Sequence, residues 1–377
     1  MKKIGIITMH KVYNYGSALQ AYALQTYIEE INPEEYRCEI IDYRYPNRTH
    51  SFSKTDKTVK KLVKVIRFNV FYLLKELLNF SRNKKFRSFW KTYFHLSKSY
   101  STADSIKQKK LPYDLLVTGS DQVWNPRYTK FDSVFMCDFS DNNVSKISFG
   151  PAIGQKKIEP ALGEMLQTYV GNYKYISIRD KSVEEELRTL LNKDVSIVCD
   201  PTLLLNSKQW NTLANKSRFS TKQGYILLYI LRYSFDPYPD VVSFINNIRE
   251  YLKLPVITLY ANKIVDIKND YREIKNADCY DFLALIKNAE CIITTSFHGT
   301  CFSINYRKPF YSIVDDTTKD SRIHDLLESC GLEKRMIKLK NINQDFIYSN
   351  VDYDDTKINS YIDLSKNYLT NAIGNCI

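Results

Sequence analysis

Several patterns that would assign this chain to a common class are missing from its 377 residues. It has no GxGxxG, no GK[ST] phosphate loop and no HExxH, so dinucleotide binding, P-loop chemistry and a zinc-protease site have no support. Its eight cysteines lack CxxC or metal-finger spacing and several lie in apolar runs, which predicts reduced core residues and no metal site. No run approaches 18 apolar residues, and the first ten residues turn polar too soon for a signal peptide, so we expect a cytoplasmic protein.

The net charge of +12 is concentrated in one segment. Across residues 54–91, twelve Lys and Arg face only Asp56 and Glu76, so the rest of the chain is nearly neutral. Apolar residues recur there every three or four positions, which predicts a basic helical insert over residues 55–95. Its basic and aromatic residues could bind an anionic membrane surface or nucleic acid. The structural alternative is a helix that packs on the protein core and exposes its lysines to solvent. Among functional roles we favour peripheral contact with an anionic membrane, and we expect no nucleic-acid partner.

Strand-like and helix-like segments alternate on both sides of a polar stretch at residues 217–224. This pattern predicts an α/β protein with two doubly wound, Rossmann-like domains facing a cleft. We place the first domain at residues 1–218 and the second at residues 219–355. A helical tail at residues 356–377 is expected to pack back on the first domain. The predicted strands include residues 3–9, 38–44, 114–118, 146–149, 175–178, 196–199, 225–231, 256–259, 291–294 and 310–314.

A histidine follows one of these strands in the segment TTSFHGT. Open α/β sheets bind ligands at the C-terminal ends of their strands, where this position places His298. Its imidazole can donate or accept a proton near neutral pH, which makes it a candidate acid. Gly299 beside it would let the backbone approach a ligand closely. A solvated or purely structural histidine is the alternative.

Two other polar segments also follow strands, TGSDQVWNP and MHKVYNYGSALQ. Asp121 in the first could act as a general base towards a sugar hydroxyl, or it could cap the turn. The remaining acceptor candidates have side chains that could bind sugar hydroxyls, stack on a pyranose or let the backbone approach a ligand. They are Asn14, Tyr15, Gly16, Ser120, Gln122, Trp124 and Asn125. For Trp124 a core position is the competing interpretation.

Together with ISIRDKS and CDPTLLL, these segments resemble the polysaccharide pyruvyl transferase family over roughly residues 3–335. The resemblance implies a fold related to GT-B and transfer of a pyruvyl group from phosphoenolpyruvate to a sugar, which forms a ketal. It implies no cofactor besides this co-substrate. It also implies an acceptor in the cytoplasm, a cell-surface glycan precursor that is either free or on a lipid carrier. It also implies that His298 contacts the donor and that Arg179 binds it. The structural alternative for Arg179 is an ion pair with Asp180 or Glu184.

One departure from the family pattern concerns the donor site. Where the family commonly has Arg-Leu-His, this chain has Ser296, Phe297 and His298, and we place Ser296 and Gly299 among the donor-binding residues. Phosphoenolpyruvate carries a carboxylate and a phosphate, so we expect another cation to join Arg179. Arg322, or failing it Lys308, is the candidate, although Arg322 could also be a surface charge at a helix start.

Two other functions compete with pyruvyl transfer. The missing arginine leaves room for glycosyl transfer from a nucleotide sugar on a GT-B fold, although nothing in the sequence indicates a site for a base. A non-enzymatic scaffold is the second alternative, and polar residues at three strand ends argue against it. Asp200 and Pro201 are interpreted as a structural turn.

Overall fold

The computed structural model of the protein describes residues 1–43, 79–141, 143–221, 223–259, 271–317, 320–342 and 348–377. These residues form an α/β structure with sheets of four, six and two strands. The first half has strands in the order β2-β1-β3-β4, with β5 and β6 paired to each other and joined to β4 by a bridge between Ile147 and Tyr175. The strands are β1 (Lys2–Ile7), β2 (Tyr36–Ile40), β3 (Leu115–Thr118), β4 (Ser145–Ser148), β5 (Ile176–Ile178) and β6 (Val195–Ile197).

The second half has a six-stranded sheet in the order β12-β11-β10-β7-β8-β9. The strands of this sheet are β7 (Ile226–Tyr229), β8 (Val256–Leu259), β9 (Tyr271–Ile274), β10 (Cys291–Thr294), β11 (Phe310–Val314) and β12 (Met336–Lys338). Every strand pair in the described residues is parallel.

Helices cover both sheets, so the central strands β3, β7, β8 and β10 are buried at every position, as parallel strands require. The helices are α1 (Tyr15–Ile31), α2 (Phe80–Tyr93), α3 (Ala103–Lys107), α4 (Pro126–Thr129), α5 (Pro160–Val170), α6 (Glu184–Leu191), α7 (Ser207–Ala214), α8 (Val241–Leu252), α9 (Cys279–Asn288), α10 (Phe297–Asn305), α11 (Arg322–Cys330) and α12 (Asp355–Gly374).

Each sheet has a point at which the strand order reverses, and these points locate the candidate site. In the first sheet β1 lies between β2 and β3, and in the second sheet β7 lies between β8 and β10. The connections that leave such neighbouring strands diverge to opposite sides, which opens a crevice at their C-terminal ends. The loops after β1, β3 and β10 carry the three polar segments singled out in the sequence.

Helices α2, α7 and α12 are among those that connect the two halves. In α7, Trp210 lies beside Tyr22 of α1 and Phe302 of α10, with ring centroids 5.8 and 5.1 Å away. Lys85 of α2 donates to the carbonyl of Asn276 at 2.8 Å. The tail helix α12 contacts the first half through hydrogen bonds to its backbone. These are Tyr361 to Val198 at 3.0 Å, Tyr368 to Ser148 at 3.0 Å and the Cys199 amide to Ser365 at 2.8 Å.

The described part of the basic segment packs on the protein. Residues 44–78, which hold most of the predicted insert, lie outside the described residues, and α2 follows them. Phe86, Phe89 and Trp90 of α2 are buried against aromatic residues of the α1 region, so they cannot face a membrane. For these three rings the core-packing alternative is the correct one. Among the described residues, no helix combines the length and the apolar character needed to cross a membrane.

The elements that the sequence did not predict include the short helices α3, α4 and α7 and two short edge strands. Both β9 and β12 lie at an edge of the second sheet, and they contain charged residues instead of a continuous apolar run. The helix predicted from residue 238 begins at Val241 instead. Prolines at 237 and 239 lack an amide hydrogen and favour a turn before it.

Candidate active site

His298 lies in the first turn of α10, directly after β10. Ser296 is the N-cap of this helix, and its hydroxyl accepts a hydrogen bond from the Gly299 amide at 3.2 Å. Such a cap fixes the start of the helix at the strand end. The imidazole of His298 is therefore held at the C-terminal edge of the second sheet, where only 7% of the residue is exposed.

The start of α1 in the first half packs on this imidazole. Asn14 caps α1 by accepting from the amides of Gly16 and Ser17 at 2.8 and 3.3 Å. A Cβ atom added to Gly16 would lie 2.0 Å from Nδ1 of His298, far closer than any real contact. The glycine is therefore required because the backbone of the first half lies against the histidine of the second half.

A buried ion pair lies on the other side of His298. Arg179 follows β5 and Asp200 follows β6, and the Nη1 atom of Arg179 donates to Oδ2 of Asp200. The same Oδ2 lies 3.6 Å from Nε2 of His298. The other oxygen, Oδ1, accepts from the amide and hydroxyl of Thr202 at 2.9 and 2.7 Å. Asp200 thus shapes its turn and also joins Arg179 to the histidine.

The charges of this cluster control the protonation of Asp200. Burial by itself would raise the pKa of the carboxyl, but Arg179 and His298 hold that pKa well below its usual range. Asp200 is therefore ionised throughout the physiological pH range. Its charged Oδ2 faces Nε2 of His298.

Two nitrogens of Arg179 remain without a hydrogen-bond partner among the described residues. They are Nε and Nη2, which lie side by side on one edge of the guanidinium group. Nε2 of His298 also has no hydrogen-bond partner there. All three nitrogens are buried, and an unsatisfied buried donor is costly. A carboxylate or phosphate oxygen would satisfy them, and a planar carboxylate matches the two-nitrogen edge of an arginine.

Asp121 reaches this cluster from the end of β3. Its Oδ1 lies 3.8 Å from Nη2 of Arg179 and accepts from the Gln122 amide at 2.9 Å. Its Oδ2 accepts from the hydroxyl of Ser17 at 2.6 Å. The structure therefore brings Asp121, Arg179 and His298 together. It also shows that Asp121 caps its own turn, as the structural alternative proposed.

Arg322 approaches from α11. Its Nε and Nη2 atoms pair with both oxygens of Asp320, at 2.9 and 2.5 Å. Burial by itself would lower the pKa of Arg322, but Asp320 holds it above its ordinary value. Its Cζ lies 5.5 Å from the ring centre of Phe297, and that of Arg179 lies 4.7 Å from the same centre. The guanidinium groups of Arg179 and Arg322 thus both lie near Phe297. The Nε and Nη2 atoms of Arg322 are already bound to Asp320.

Three of the predicted donor residues have other positions or roles. Lys308 precedes β11, so it lies at the N-terminal edge of the sheet and not in the crevice with His298. A Cβ on Gly299 would lie 2.5 Å from Oγ1 of Thr294, so this glycine is required by packing on β10 and not by a ligand. Ser296 serves as a helix cap.

Most of the predicted acceptor residues have structural contacts as well. The hydroxyl of Tyr15 donates to the carbonyl of Ala277 at 3.0 Å, and that of Ser120 donates to the carbonyl of Gly150 at 2.7 Å. Asn125 caps α4 and donates to the side chain of Gln122 at 2.7 Å. Trp124 has no exposed surface, so its faces cannot stack on a sugar and the core interpretation is correct.

Asp180 is a site neighbour that the sequence interpretation treated only as a partner of Arg179. Its Oδ2 instead accepts from the amides of Ile153 and Gly154 at 2.6 and 2.7 Å. Burial raises the pKa of this carboxyl to about 6, although Gly154, Arg179 and Arg322 act in the opposite direction.

Four residues of the site were missed or given another role in the sequence interpretation. They are Ser17, Asp200, Phe297 and Asp320. Asp200 had a usable signal, because it follows a strand in CDPT as Asp121 does in TGSD. No comparable pattern marks the other three.

Comparison with known families gives one match that spans most of the chain. A family model described as polysaccharide pyruvyl transferase matches residues 14–317. A search of curated protein sequences found no significant match.

Solved structures resemble the whole chain in fold. UDP-GlcNAc 2-epimerase from Methanocaldococcus jannaschii matches with a TM-score of 0.53 and 12% identity, covering 100% of both chains. An S. aureus MnaA–UDP co-structure matches with a TM-score of 0.51 and 12% identity, covering 97% of this chain and 91% of the other. At such low identity the likeness shows the fold alone, which is GT-B-like: two Rossmann-like halves around a crevice.

The contact between Gly16 and His298 predicts a specific mutational effect. Gly16→Ala should displace the imidazole or the start of α1, because the new methyl group would overlap the ring. We expect a loss of thermal stability of roughly 1–3 kcal/mol, typical of overpacking. The matched control is Gly163→Ala in α5, where the new Cβ would meet Leu190 at an ordinary 3.7 Å. Equal unfolding temperatures for the two variants would contradict this close contact.

Asp180 predicts a pH dependence of stability. Its folded-state pKa of about 6 exceeds the ordinary 3.8, so the folded state binds this proton more tightly than the unfolded state. The ionised carboxylate therefore costs stability increasingly as the pH rises through 6. Asp180→Asn removes this cost, and its stability relative to the parent should increase by about 1–2 kcal/mol between pH 5 and pH 8. Urea unfolding at both pH values measures the difference, with the exposed Asp194→Asn as control.

Proposed function

Because the chain belongs to the polysaccharide pyruvyl transferase family, we propose that it transfers a pyruvyl group from phosphoenolpyruvate to two hydroxyls of one sugar. Both hydroxyl oxygens become bonded to C2 of the pyruvyl group, and the bond from C2 to the phosphate oxygen breaks. The two sugar hydroxyls lose two protons in total. The methylene carbon gains one proton and becomes a methyl group, and the inorganic phosphate leaves with the other. The product is a cyclic ketal that keeps the pyruvyl carboxylate.

The observation that carries this proposal is a set of three nitrogens without hydrogen-bond partners at the seam, the contact between the two halves around Arg179 and His298. Nε and Nη2 of Arg179 and Nε2 of His298 are buried and have no hydrogen-bond partner among the described residues. An anionic ligand supplies the acceptor oxygens that such donors need. Phosphoenolpyruvate has both a planar carboxylate and a phosphate, so it can bind the arginine edge and still present its methylene group to the imidazole.

In this proposal His298 is the acid that protonates the methylene carbon. Asp200 lies 3.6 Å from Nε2 and supports a positive charge on the ring. Asp121 is the base that accepts a proton from the attacking hydroxyl, with Ser17 at 2.6 Å holding its Oδ2. The protonated donor develops positive charge at C2, and nearby carboxylates stabilise this charge electrostatically.

Arg322 plays the secondary role in binding the donor. Asp320 already occupies its bidentate edge, so Arg322 contributes mainly through its charge and its remaining amino group. Arg179 is therefore the principal donor ligand. With Ser296 in place of the family arginine, Arg322 is the second cation beside Arg179.

We assign the acceptor to the class of cell-surface polysaccharide precursors, with the sugar on a lipid carrier at the cytoplasmic face of the membrane. The family supports a polysaccharide acceptor. The first-half loops after β1 and β3 would approach that sugar, because they contribute Asn14, Gly16 and Asp121 to the seam.

Glycosyl transfer from a nucleotide sugar is the competing function. The GT-B-like fold supports it, since both solved relatives named above share that fold. Titration of the protein with phosphoenolpyruvate and, separately, with nucleotide sugars discriminates the two functions. Binding of a nucleotide sugar without binding of phosphoenolpyruvate would favour glycosyl transfer.

The role of His298 can be tested by substitution. His298→Ala should lower phosphate release from phosphoenolpyruvate, measured with a panel of lipid-linked sugars, by about a hundredfold or more. The fold should survive, because the change removes a ring at a crevice and leaves the strands intact.

His324→Ala is the matched control, since that histidine lies on α11 with 54% of its side chain exposed. Its turnover should equal that of the parent. Full activity in a folded His298→Ala protein would remove the imidazole from the mechanism.

Arg179→Lys separates charge from geometry at the donor site. Lysine keeps the positive charge but lacks the two-nitrogen edge, so the KM for phosphoenolpyruvate should rise at least tenfold. Arg188→Lys, at an exposed arginine of α6 in the same half, is the control. An unchanged donor KM in Arg179→Lys would show that the donor does not bind this edge.

A further inference from the structure

Phe297 is in contact with both guanidinium groups of the seam. It is the first residue of α10, and only 7% of it is exposed. The Cζ atoms of Arg179 and Arg322 lie 4.7 and 5.5 Å from its ring centre. Arg179 comes from the first half of the chain, whereas Arg322 and Phe297 come from the second. One aromatic ring therefore links the two positive charges across the seam.

The chemistry of an aromatic ring suits this position. Two guanidinium groups near one point repel each other, and burial strengthens that repulsion because the local dielectric is low. The negative face of a ring attracts both cations, but it is only a weak acceptor of hydrogen bonds from their N–H groups. A carboxylate in the same place would neutralise them and occupy their N–H edges, as Asp320 does for Arg322.

The hydrogen bonds of Arg179 agree with this division of roles. Its Nη1 donates to Asp200, its Cζ lies 4.7 Å from the ring centre of Phe297, and its Nε and Nη2 edge has no hydrogen-bond partner among the described residues. The guanidinium is thus held on two sides, while the edge suited to a carboxylate stays available. Removing the ring would leave only Asp200, and the more distant Asp121 at 3.8 Å, to set its orientation.

We propose that Phe297 is a positioning residue for the anionic donor: its ring holds Arg179 and Arg322 so that the free edge of Arg179 faces the donor. This inference rests on the proposed function, because it takes phosphoenolpyruvate as that donor. With Ser296 in place of the family arginine, the ring of the next residue organises two arginines from elsewhere in the chain.

The substitution that tests the inference is Phe297→Leu. Leucine fills much of the same volume but has no negative face. We expect the KM for phosphoenolpyruvate to rise about 10- to 100-fold, while kcat changes less than threefold. Phe297→Tyr keeps an aromatic face and should restore most of the donor affinity, a rescue that simple volume loss would not produce.

A matched control is Phe244→Leu in α8. Phe244 is also buried and packs edge-on against Tyr311, with ring centroids 5.5 Å apart. This variant should lose comparable thermal stability and keep the parental donor KM. The control therefore separates a general loss of packing from an effect on the donor arginines.

A double-mutant cycle tests whether Phe297 acts through Arg322. Arg322→Gln should weaken donor binding in the parent, and it should weaken binding considerably less in the Phe297→Leu background. Independent, multiplicative effects of the two substitutions would contradict a shared role for the ring and this arginine.

Direct titration distinguishes this inference from the proposed function. Calorimetry of the parent, Phe297→Leu and Phe297→Tyr proteins uses phosphoenolpyruvate and inorganic phosphate as probes. If the parent and Phe297→Leu bind phosphoenolpyruvate with equal affinity, the positioning role of Phe297 is wrong and the proposed function stands. Parent protein that binds phosphate but not phosphoenolpyruvate contradicts the proposed donor, and the weakening of phosphate binding in Phe297→Leu still tests the ring. Binding of neither probe by the parent overturns both.

Discussion

The buried ion pair between Arg179 and Asp200 is the constraint on which the site depends. Both charges lie at the ends of adjacent strands and are almost entirely removed from water. Removing water from charged groups is costly, and such a pair is stable only if its other hydrogen bonds are also satisfied. Asp200 satisfies this condition through Thr202, and it also lies next to His298 of the other half. Arg179 does not satisfy it, because two of its nitrogens lack a partner among the described residues. This residual cost is the physical reason to expect an anion at the seam.

The seam itself is held together by more than this pair. The backbone at Gly16 lies against the imidazole of His298, and α2, α7 and α12 each contact both halves. In the described state His298, Arg179 and Asp200 are each less than one tenth exposed. This state therefore excludes water from these three groups, which strengthens their electrostatic interactions.

The balance of charge at the seam sets the conditions for binding an anion. Arg179 and Arg322 face the carboxyl groups of Asp121, Asp180, Asp200 and Asp320. Four ionised carboxylates would outweigh two arginines and repel a donor that carries a carboxylate and a phosphate. The raised pKa of Asp180, about 6, reduces this excess, because part of its population is protonated near that pH. A ring such as Phe297 adds attraction for the cations without adding another negative charge.

The sequence determined the class of fold, because alternating buried runs and helical stripes can be covered only as parallel sheets with helices on both faces. It also located the strand ends that carry His298 and Asp121, and the resemblance supplied a role for Arg179. The edge strands β9 and β12 were not predictable, since their short, partly charged segments form strands only because a sheet edge is available. The order of residues around β11 already separates the two candidate cations, because Lys308 precedes the strand and Arg322 follows it. Tertiary structure alone decided that Arg322 and Arg179 lie beside the same ring, that of Phe297. It also decided that Gly16 contacts His298 and that Trp124 is in the core, because these depend on contacts between residues far apart in the chain, which local patterns do not record.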